Sequence, residues 1–369
     1  MSKTVVILGG AYAGVQIAHG LLKKQNNDLK VILVSKNSHF YWNLASVRRI
    51  IPGQIKDEDI FKSIAESLKR YPEAKWELIV GSAEAADFSA KTVRVSTPEG
   101  EKTVSYDQLV LATGSRTPQD YVPWKANGTY EEALALLKQT EEKVAAASHI
   151  VVAGAGPTGI EVAGELGFEF GKTKEIVLLS GGDKLLGGDI AAGAAANELK
   201  KLNVTVKYGA KVDDVKPGEG GKTTVVLAGG ETVETDLYLP TMGLVPNTEY
   251  VDTKYLNDNK TVQVDEFLRV KDTTDVWAAG DVVSKPRAGF MITQKQAAAV
   301  TKNVELALAG KEPLVAKGLP VDILACAVGR SRGAGRLNSF KLPSIMVWLA
   351  KGRTLGVQMF GGYIDGSNA

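Results

Sequence analysis

The sequence predicts an α/β fold that contains two βαβ units, and three observations support this prediction. The chain has 369 residues, more than the roughly 250 to 300 at which a single hydrophobic core usually stops growing. Branched apolar runs that end in a glycine turn and continue as a helical pattern occur twice, with turns beginning at Gly9 and Gly154. Two complete units of this kind predict two bound nucleotides, because each unit holds its ligand at the glycine turn.

Each unit has a strand, a helix and a second strand. They lie at residues 5–8, 15–24 and 31–34 in the first unit, and at 149–153, 159–167 and 175–179 in the second. Further apolar segments follow each unit and are expected to be antiparallel strands, because turn residues separate several of them. These segments lie at 76–80, 92–96 and 109–112, and again at 204–208, 223–227 and 237–240. The two halves therefore repeat one order of elements.

Composition limits the classes of function. Lys and Arg total 44 against 42 Asp and Glu, a net charge of +2, which argues against a nucleic-acid binder. Cys326 is the single cysteine, which excludes an internal disulfide and a cysteine-bound cluster. The three histidines are far apart, so no metal site is expected. Residue 2 is serine and a strand begins almost at once, so neither a signal peptide nor a myristoylation site is predicted, and a cytoplasmic location is expected.

The first glycine turn consists of Gly9, Gly10, Ala11, Tyr12, Ala13 and Gly14. A strand that ends in such a turn and opens a helix directs backbone amides and the positive helix end at a pyrophosphate. Ala11 replaces the second glycine of the G-x-G-x-x-G pattern and adds a methyl group where the phosphate comes closest. Ser35 and Lys36 stand where an acidic ribose-binding residue is usual, so ribose contacts are expected from elsewhere.

The second turn matches the pattern fully, with Gly154, Gly156, Pro157, Thr158 and Gly159. Glu161 follows in what is expected to be the first helical turn. It is expected either to interact with the helix dipole or to lie beside a nicotinamide. Ser180 and Lys184 follow the companion strand in place of an acidic residue, so the choice between NADH and NADPH stays open.

Two more glycine-containing steps end strands. The first is Ala112, Thr113 and Gly114, and the second is Gly280 with Asp281. A Gly-Asp step alone is most often a turn. After two dinucleotide-binding units, Asp281 is expected to accept a hydrogen bond from a ribityl hydroxyl of FAD. The helix expected at 293–308 would point its positive end at the flavin.

These four elements in this order resemble the flavoproteins with two Rossmann-like dinucleotide-binding domains, the glutathione-reductase-like fold. The resemblance implies FAD and either NADH or NADPH as cofactors. It also implies an FAD-binding domain at 1–120 and 245–315, an inserted NAD(P)H-binding domain at 121–244, and a short C-terminal domain at 316–369. Members that use a redox disulfide need a pair of cysteines, so this chain is not a disulfide reductase.

A closer resemblance is to the apoptosis-inducing-factor-like branch, which includes the ferroptosis suppressor proteins and is related to type II NADH dehydrogenases. The segments at 40–48, 327–335 and 345–351 carry it. The resemblance implies that Arg48, Ile79 through its backbone, and Asp281 contact FAD. It also implies that three residues lie near the flavin and acceptor site as candidate catalytic residues: Glu161, Gln294 and Lys351.

The resemblance implies an NAD(P)H:quinone oxidoreductase. A hydride would pass from nicotinamide C4 to flavin N5, and two electrons would then pass to a quinone or another small acceptor. Lys351 either stabilises negative charge on a quinone oxygen or is an ordinary surface lysine after an apolar run. Three alternatives stay open: a ferredoxin-reductase-like enzyme, another small-molecule flavin oxidoreductase, and an NADH-sensing interaction protein.

Two segments near the C-terminus, one basic and one apolar, have two interpretations each. Arg330, Arg332 and Arg336 are expected in a solvated loop, with phosphate or lipid headgroups as the alternative ligands. Residues 345–349 are expected in a core helix or strand. The alternative is peripheral contact with a membrane or lipid droplet, favoured by Lys341, Lys351 and Arg353. A homodimer is also compatible with the sequence.

Overall fold

The computed structural model describes residues 2–24, 28–283 and 286–369, and the statements below refer to them. The strands are β1 (Lys3–Leu8), β2 (Leu29–Ser35), β3 (His39–Tyr41), β4 (Phe61–Ser63), β5 (Trp76–Val80), β6 (Ser82–Asp87), β7 (Thr92–Thr97), β8 (Gly100–Ser105), β9 (Gln108–Leu111), β10 (Ser115–Arg116), β11 (His149–Ala153), β12 (Glu175–Leu179), β13 (Val204–Lys207), β14 (Val212–Pro217), β15 (Thr223–Leu227), β16 (Thr232–Thr235), β17 (Leu237–Pro240), β18 (Val245–Pro246), β19 (Val276–Ala278), β20 (Ile323–Val328), β21 (Arg332–Leu337) and β22 (Phe340–Leu342). The helices are α1 (Tyr12–Leu22), α2 (Ser46–Arg49), α3 (Asp57–Ile60), α4 (Ile64–Leu68), α5 (Tyr130–Ala146), α6 (Pro157–Phe170), α7 (Ala192–Lys201), α8 (Phe290–Leu308), α9 (Ser344–Val347) and α10 (Phe360–Ile364).

The first parallel sheet has the strand order β19-β9-β1-β2-β5. All of its neighbouring strands are parallel. The central strand β1 is buried on both faces, which explains why its sequence is a continuous apolar run rather than an alternating one. The edge strand β19 comes from after the second βαβ unit, so the chain returns to the first sheet after building the second.

The second parallel sheet has the order β13-β12-β11-β17. It confirms the predicted α/β fold with two Rossmann-like units, because each sheet carries its own strand, glycine turn and helix. The boundaries predicted for the three domains stay a prediction.

The prediction that six segments form antiparallel strands was wrong for four of them. The segments at 76–80, 109–112, 204–208 and 237–240 became β5, β9, β13 and β17, which pair in parallel within the two main sheets. The segments at 92–96 and 223–227 are antiparallel, as expected, in small sheets with the orders β6-β7-β8 and β14-β15-β16. Hairpin turns join the strands of these small sheets. Each small sheet itself lies in the connection between two strands of a main sheet, β5 and β9 or β13 and β17, and makes that connection long enough for a crossover.

Three helices begin earlier than predicted. Helix α1 begins at Tyr12, and α8 begins at Phe290. Helix α6 begins at Pro157, a residue that suits the first helical position because its missing N–H is not needed there. Glu161 consequently lies in the second turn of α6 rather than the first, where the helix dipole has less effect on a charge.

The C-terminal part consists of the antiparallel sheet β20-β21-β22, α9, a π-helical segment at Trp348–Gly352, and α10. The expectation of a solvated loop is wrong for two of the three arginines, because Arg332 and Arg336 lie on β21. The expectation of a core helix or strand at 345–349 is wrong in one respect. The segment is helical and buries Val347, but Ile345, Met346 and Leu349 are each more than half exposed.

Candidate active site

A cavity lies at the carboxyl ends of β1, β2, β5 and β9, where parallel strands and a glycine turn meet. It is lined by nine residues that the sequence predicted as cofactor contacts: Gly9, Gly10, Ala11, Tyr12, Ala13, Ala112, Thr113, Gly114 and Asp281. The motifs from separate parts of the chain therefore face one space.

The first glycine turn has a geometry that only glycine permits at two positions. Gly9 has a φ of +111°, and a Cβ there would lie 2.2 Å from the carbonyl oxygen of Ala112. A Cβ on Gly14 would lie 1.7 Å from the carbonyl oxygen of Gly9. Gly14 thus lets α1 pack close to β1 and does not itself line the cavity. This is a cradle suited to the pyrophosphate of FAD.

The second turn repeats this geometry at the start of α6. Gly154 has a φ of +107°, and a Cβ on Gly159 would lie 1.7 Å from the carbonyl oxygen of Gly154. The adjoining residues Gly156 and Pro157 are exposed, so the backbone at the N-terminus of α6 is open to a ligand. Thr158, in the first helical turn, is half-buried. The residues fit the pyrophosphate of a nicotinamide dinucleotide.

Ala11 does not disturb the first turn. Its φ of −109° is extended backbone that any residue adopts. Gly156 is its counterpart in the second turn, and a Cβ built on Gly156 meets no heavy atom within 4 Å. The additional methyl group therefore has room within the protein itself.

Asp281 lies in the cavity wall with two partners. Its Oδ2 accepts a hydrogen bond from Ser115 Oγ at 3.0 Å and forms an ion pair with Lys125 Nζ. Ser115 directly follows the Ala-Thr-Gly step, and Thr293 from the first turn of α8 lines the same cavity. The carboxylate and the N-terminal turn of α8 are thus both available to a flavin in the cavity.

Tyr12 lines the cavity, and an aromatic cluster packs around its ring behind the cavity wall. The ring of Tyr12 contacts Phe40, Trp42 and Tyr363 edge-on, with ring centroids 5.1 to 5.7 Å apart. Its hydroxyl donates to Asn43 Oδ1 at 2.9 Å. Burial raises the pKa of Tyr12 well above its ordinary value, so this phenol stays neutral.

Arg48 is not among the residues that line the cavity. Its guanidinium donates to Glu165 Oε1 at 2.7 and 2.9 Å, and also to the carbonyl oxygens of Gly352 and Arg353. Ile79 is buried in β5, and Gly81 to Ala83 line the cavity just beyond it. The FAD contacts assigned to Arg48 and Ile79 stay predictions.

Glu161 and Lys351 form an ion pair. Lys351 Nζ lies 2.5 Å from Glu161 Oε1, which also accepts a hydrogen bond from the backbone N–H of Ala327 at 3.0 Å. Burial opposes the charge on the ammonium, but the carboxylate of Glu161 outweighs it and raises the pKa of Lys351. The structure therefore joins two of the three predicted catalytic residues and keeps the lysine charged.

Gln294, the third predicted catalytic residue, lies on α8 and is half-buried. Its carbonyl oxygen accepts a hydrogen bond from Gln16 Nε2 at 3.2 Å, and its side chain bonds to Tyr363. No contact joins it to Glu161 or Lys351 among the described residues. Its catalytic role stays a prediction.

The three arginines near the C-terminus are all paired with carboxylates. Their partners are Glu165 and Glu169 for Arg330, Glu198 for Arg332, and Asp189 and Asp322 for Arg336. Glu165 and Glu169 lie one and two helical turns after Glu161, on the same face of α6. Carboxylates of α6 thus attach the C-terminal part through Arg330, and carboxylates outside α6 are the structural partners of Arg332 and Arg336 in place of a phosphate.

Several residues of the cavity wall were missed from the sequence. They are Asn37, His39, Tyr41, Asn43, the segment 125–128, Asn247, Glu249 and Tyr250. Tyr41 and Asn43 lie in the segment at 40–48 that carries the family resemblance, so that segment was a usable signal. Lys125 ends a short 3-10 helix (Pro123–Lys125) outside every motif, and the sequence gives no signal for it.

Among residues 2–24, 28–283 and 286–369, no group of three or more His, Cys, Asp or Glu side chains is arranged to hold a metal ion. No helix in that part of the chain is both long and apolar enough to cross a membrane. Cys326 is buried, and burial raises the pKa of its thiol to about 12.

The fold and the two glycine cradles define a flavoprotein oxidoreductase with separate sites for FAD and for NADH or NADPH. The sequence model for pyridine nucleotide-disulphide oxidoreductases matches residues 3–308, and the chain belongs to this family. Membership confirms the predicted cofactors. Having a single cysteine, this member lacks the second thiol needed for an internal redox disulfide.

Comparison with individual proteins supports the same assignment. The chain is 39% identical to the oxidoreductase ptaL of Pestalotiopsis fici over 371 residues, which cover 99% of both proteins. It is 25% identical to ferroptosis suppressor protein 1 of Xenopus laevis, over 96% of this chain and 94% of that protein. This similarity confirms the resemblance to the apoptosis-inducing-factor-like branch. The sulfide:quinone oxidoreductase of Aquifex aeolicus has the same fold, with a TM-score of 0.76, 20% identity, and coverage of 99% of this chain and 92% of that one.

Proposed function

We propose that this oxidoreductase transfers electrons from NAD(P)H to a quinone. The observation that carries the proposal is the ion pair of Lys351 with the buried Glu161. Glu161 lies on the helix whose N-terminus forms the nicotinamide-dinucleotide cradle. Lys351 comes from the C-terminal segment that exposes Ile345, Met346 and Leu349. We call these three side chains the C-terminal apolar face. A charged donor next to an apolar surface suits an acceptor with a polar ring and an apolar tail.

The overall reaction is NAD(P)H + H⁺ + quinone → NAD(P)⁺ + quinol. Bound FAD would accept the hydride and pass on two electrons, chemistry that belongs to the cofactor. The glycine turns bind the two pyrophosphates, and Asp281 orients the ribityl chain. Lys351 stabilises the negative charge that develops on a quinone oxygen and donates a hydrogen bond to it. Glu161 holds the ammonium in position and keeps it protonated.

The apolar face supports a hydrophobic quinone over a small polar acceptor. Ile345 and Met346 lie four and three positions before Leu349 and therefore share its side of the helical segment, because residues three and four positions apart are neighbours on a helix. Each is more than half exposed, with exposed fractions of 62%, 52% and 54%. Exposed apolar patches of this kind usually bind a partner or a membrane.

The test is to reduce the FAD-loaded protein anaerobically with NADPH or NADH and then mix it with a short-chain ubiquinone or with oxygen. We expect flavin reoxidation to be at least about tenfold faster with the quinone, a difference of ~1.4 kcal/mol in barrier height. Equal, slow reoxidation by both acceptors would refute the proposal and leave the three alternatives: a ferredoxin-reductase-like enzyme, another small-molecule flavin oxidoreductase, and an NADH-sensing interaction protein.

A variant then tests the residue. Lys351→Met is expected to slow reoxidation by quinone about tenfold, because the developing charge loses its counterion. Lys351→Met combined with Glu161→Gln leaves no buried carboxylate unpaired, and it should show the same loss of quinone rate. Lys341→Met is the matched control, since it removes an exposed lysine from the same part of the chain. An unchanged quinone rate in both Lys351 variants would exclude the assigned role.

A further inference from the structure

The residue that follows β12 bears on which nicotinamide dinucleotide this chain prefers. In a dinucleotide-binding unit, the side chain at this position faces the adenosine ribose, and a carboxylate there binds the ribose hydroxyls of NADH. Ser180 occupies the position and is 1% exposed. Its hydroxyl donates to the carbonyl oxygens of Gly182 and Lys184, at 3.1 and 3.3 Å. The ribose therefore meets no carboxylate at this position.

The loop after Ser180 lies against the second glycine turn. The backbone N–H of Leu186 donates to the carbonyl oxygen of Ala155, within that turn, at 2.9 Å. Leu186 and Gly187 have φ values of +54° and +64°, so the chain reverses direction here. Lys184 lies two residues before this contact, and its side chain is exposed. The exposed Lys184 is consequently close in sequence to a contact with the pyrophosphate cradle.

Lys211 supplies a second cation on the other side of the loop. The backbone N–H of Ala210 donates to the carbonyl oxygen of Ser180 at 2.8 Å, which fixes Lys211 beside the loop. A Cβ on Gly181 would lie 3.5 Å from Cβ of Lys211. Within the described part of the chain, neither Lys184 nor Lys211 has an ion-pair partner, whereas the nearby Lys207 is paired with Glu231.

We propose that Lys184 and Lys211 bind the 2′-phosphate of NADPH and make this phosphorylated dinucleotide the preferred electron donor. A phosphate monoester carries about 1.5 to 2 negative charges and strong acceptor oxygens, which suit two lysines with no other partner. Asp183 is the acidic residue of the same loop and is exposed. It lies three residues beyond the ribose-facing position, and two lysines outweigh its charge. This inference rests on the proposed function only in taking a nicotinamide dinucleotide as the donor.

Binding of nucleotide fragments tests the inference without turnover. Isothermal titration of the FAD-loaded protein would compare adenosine 2′,5′-bisphosphate with adenosine 3′,5′-bisphosphate and with 5′-AMP. The two bisphosphates carry the same charge and differ in the position of one phosphate. We expect the 2′,5′-isomer to bind about tenfold more tightly than either other fragment, and this preference to decrease as salt increases. Equal affinity for the two bisphosphates in the wild type would overturn the inference.

Charge-reversal variants assign the effect to residues. Lys184→Glu combined with Lys211→Glu should remove the preference and leave binding of 5′-AMP within about twofold. Lys172→Glu is the matched control, because this exposed lysine follows the far end of α6, about 20 Å from the cradle. Asp183→Asn should strengthen binding of the 2′,5′-isomer and leave 5′-AMP unchanged. A preference that survives in the double variant, or weaker 5′-AMP binding in Asp183→Asn, would contradict the inference.

These fragments contain no nicotinamide, so the outcome is independent of electron transfer. A protein that binds the 2′,5′-isomer selectively but reduces no quinone would refute the proposed acceptor and support the proposed donor. A protein that reduces quinones but binds the three fragments alike would support the proposed acceptor and refute the proposed donor.

Discussion

At the residue scale, the cavity wall contains a cation that no motif includes. Lys125 forms an ion pair with Asp281 beside the pyrophosphate cradle. Lys125→Met should weaken retention of FAD by about tenfold, because a charged hydrogen-bond donor is lost next to an anionic ligand and the carboxylate of Asp281 loses its counterion. The flavin content of the protein after gel filtration measures this. Lys91→Met is the matched control, since it breaks the pair with Asp275 outside the cavity wall; a full flavin content in Lys125→Met would contradict the prediction.

Arg48 affects the stability of the fold through its ion pair with Glu165. Burial raises the pKa of Glu165, although Arg48 and Arg330 oppose the increase. A raised pKa in the folded state means that this group stabilises the fold fully below its ordinary pKa of 4.5, and that the contribution is lost as the pH rises through the folded-state pKa. Arg48→Met should raise that pKa further. We therefore expect the free energy of unfolding to fall by about 3 kcal/mol at pH 8, and by less at pH 5.

Urea unfolding at both pH values measures this difference. Adding Glu165→Gln to Arg48→Met should restore most of the lost stability, because the buried charge is then absent. Equal destabilisation at the two pH values would contradict the explanation. The family resemblance implied that Arg48 contacts FAD. The sequence could not indicate its partner, because Glu165 is 117 positions away and only the folded chain brings α2 to α6.

At the element scale, the strands, helices and turns of both βαβ units were predictable, whereas the directions of later strands were not. Glycine spacing and apolar runs are local signals, and they located β11 and β12 to the residue. Whether a strand such as β5 or β17 pairs in parallel depends on the path of its connection, which an apolar run does not encode. Direction matters for function, because parallel strands bring their carboxyl ends, and so the motifs, to one edge of the sheet.

Gly159 and Gly156 of the second turn differ in the space that their surroundings leave for a side chain. Gly159→Ala should lower the free energy of unfolding by about 1 to 3 kcal/mol, because its Cβ would overlap the carbonyl of Gly154. Gly156→Ala should change it by no more than about 0.5 kcal/mol, since that Cβ has open space. Denaturant unfolding with FAD bound compares the two variants. A loss of stability in Gly156→Ala as large as in Gly159→Ala would show that the turn is built differently.

At the scale of the whole molecule, the order of the four motifs was sufficient to predict the two dinucleotide sites and their cofactors. The position of the C-terminal part was not predictable, because the residues that attach it are spread over the chain. On α6, Glu161 pairs with Lys351, and Glu165 and Glu169 pair with Arg330. Arg48 pairs with Glu165 and also donates to the carbonyl oxygens of Gly352 and Arg353. These contacts join α6, which begins at the second glycine turn, to the segment that carries the C-terminal apolar face.

That attachment leads to a prediction about where the enzyme meets its acceptor. The C-terminal apolar face is bordered by Lys341 and Arg353, which are exposed and have no ion-pair partner within the described residues. Apolar side chains between cations suit the surface of an anionic membrane, where long-chain quinones dissolve. Ile345→Glu combined with Leu349→Glu should therefore lower the rate with a long-chain quinone in phosphatidylcholine–phosphatidylserine vesicles at least fivefold, because carboxylates oppose insertion.

The same variant should reduce a short-chain, water-soluble quinone at the wild-type rate, since that acceptor needs no membrane. Leu314→Glu combined with Val315→Glu is the matched control, as these residues are equally exposed and apolar but lie in the segment after α8. If both double variants keep the vesicle rate, the face has no role in reaching the quinone. If Ile345→Glu with Leu349→Glu slows both quinones alike, the face contributes to the acceptor site itself and the membrane explanation is wrong.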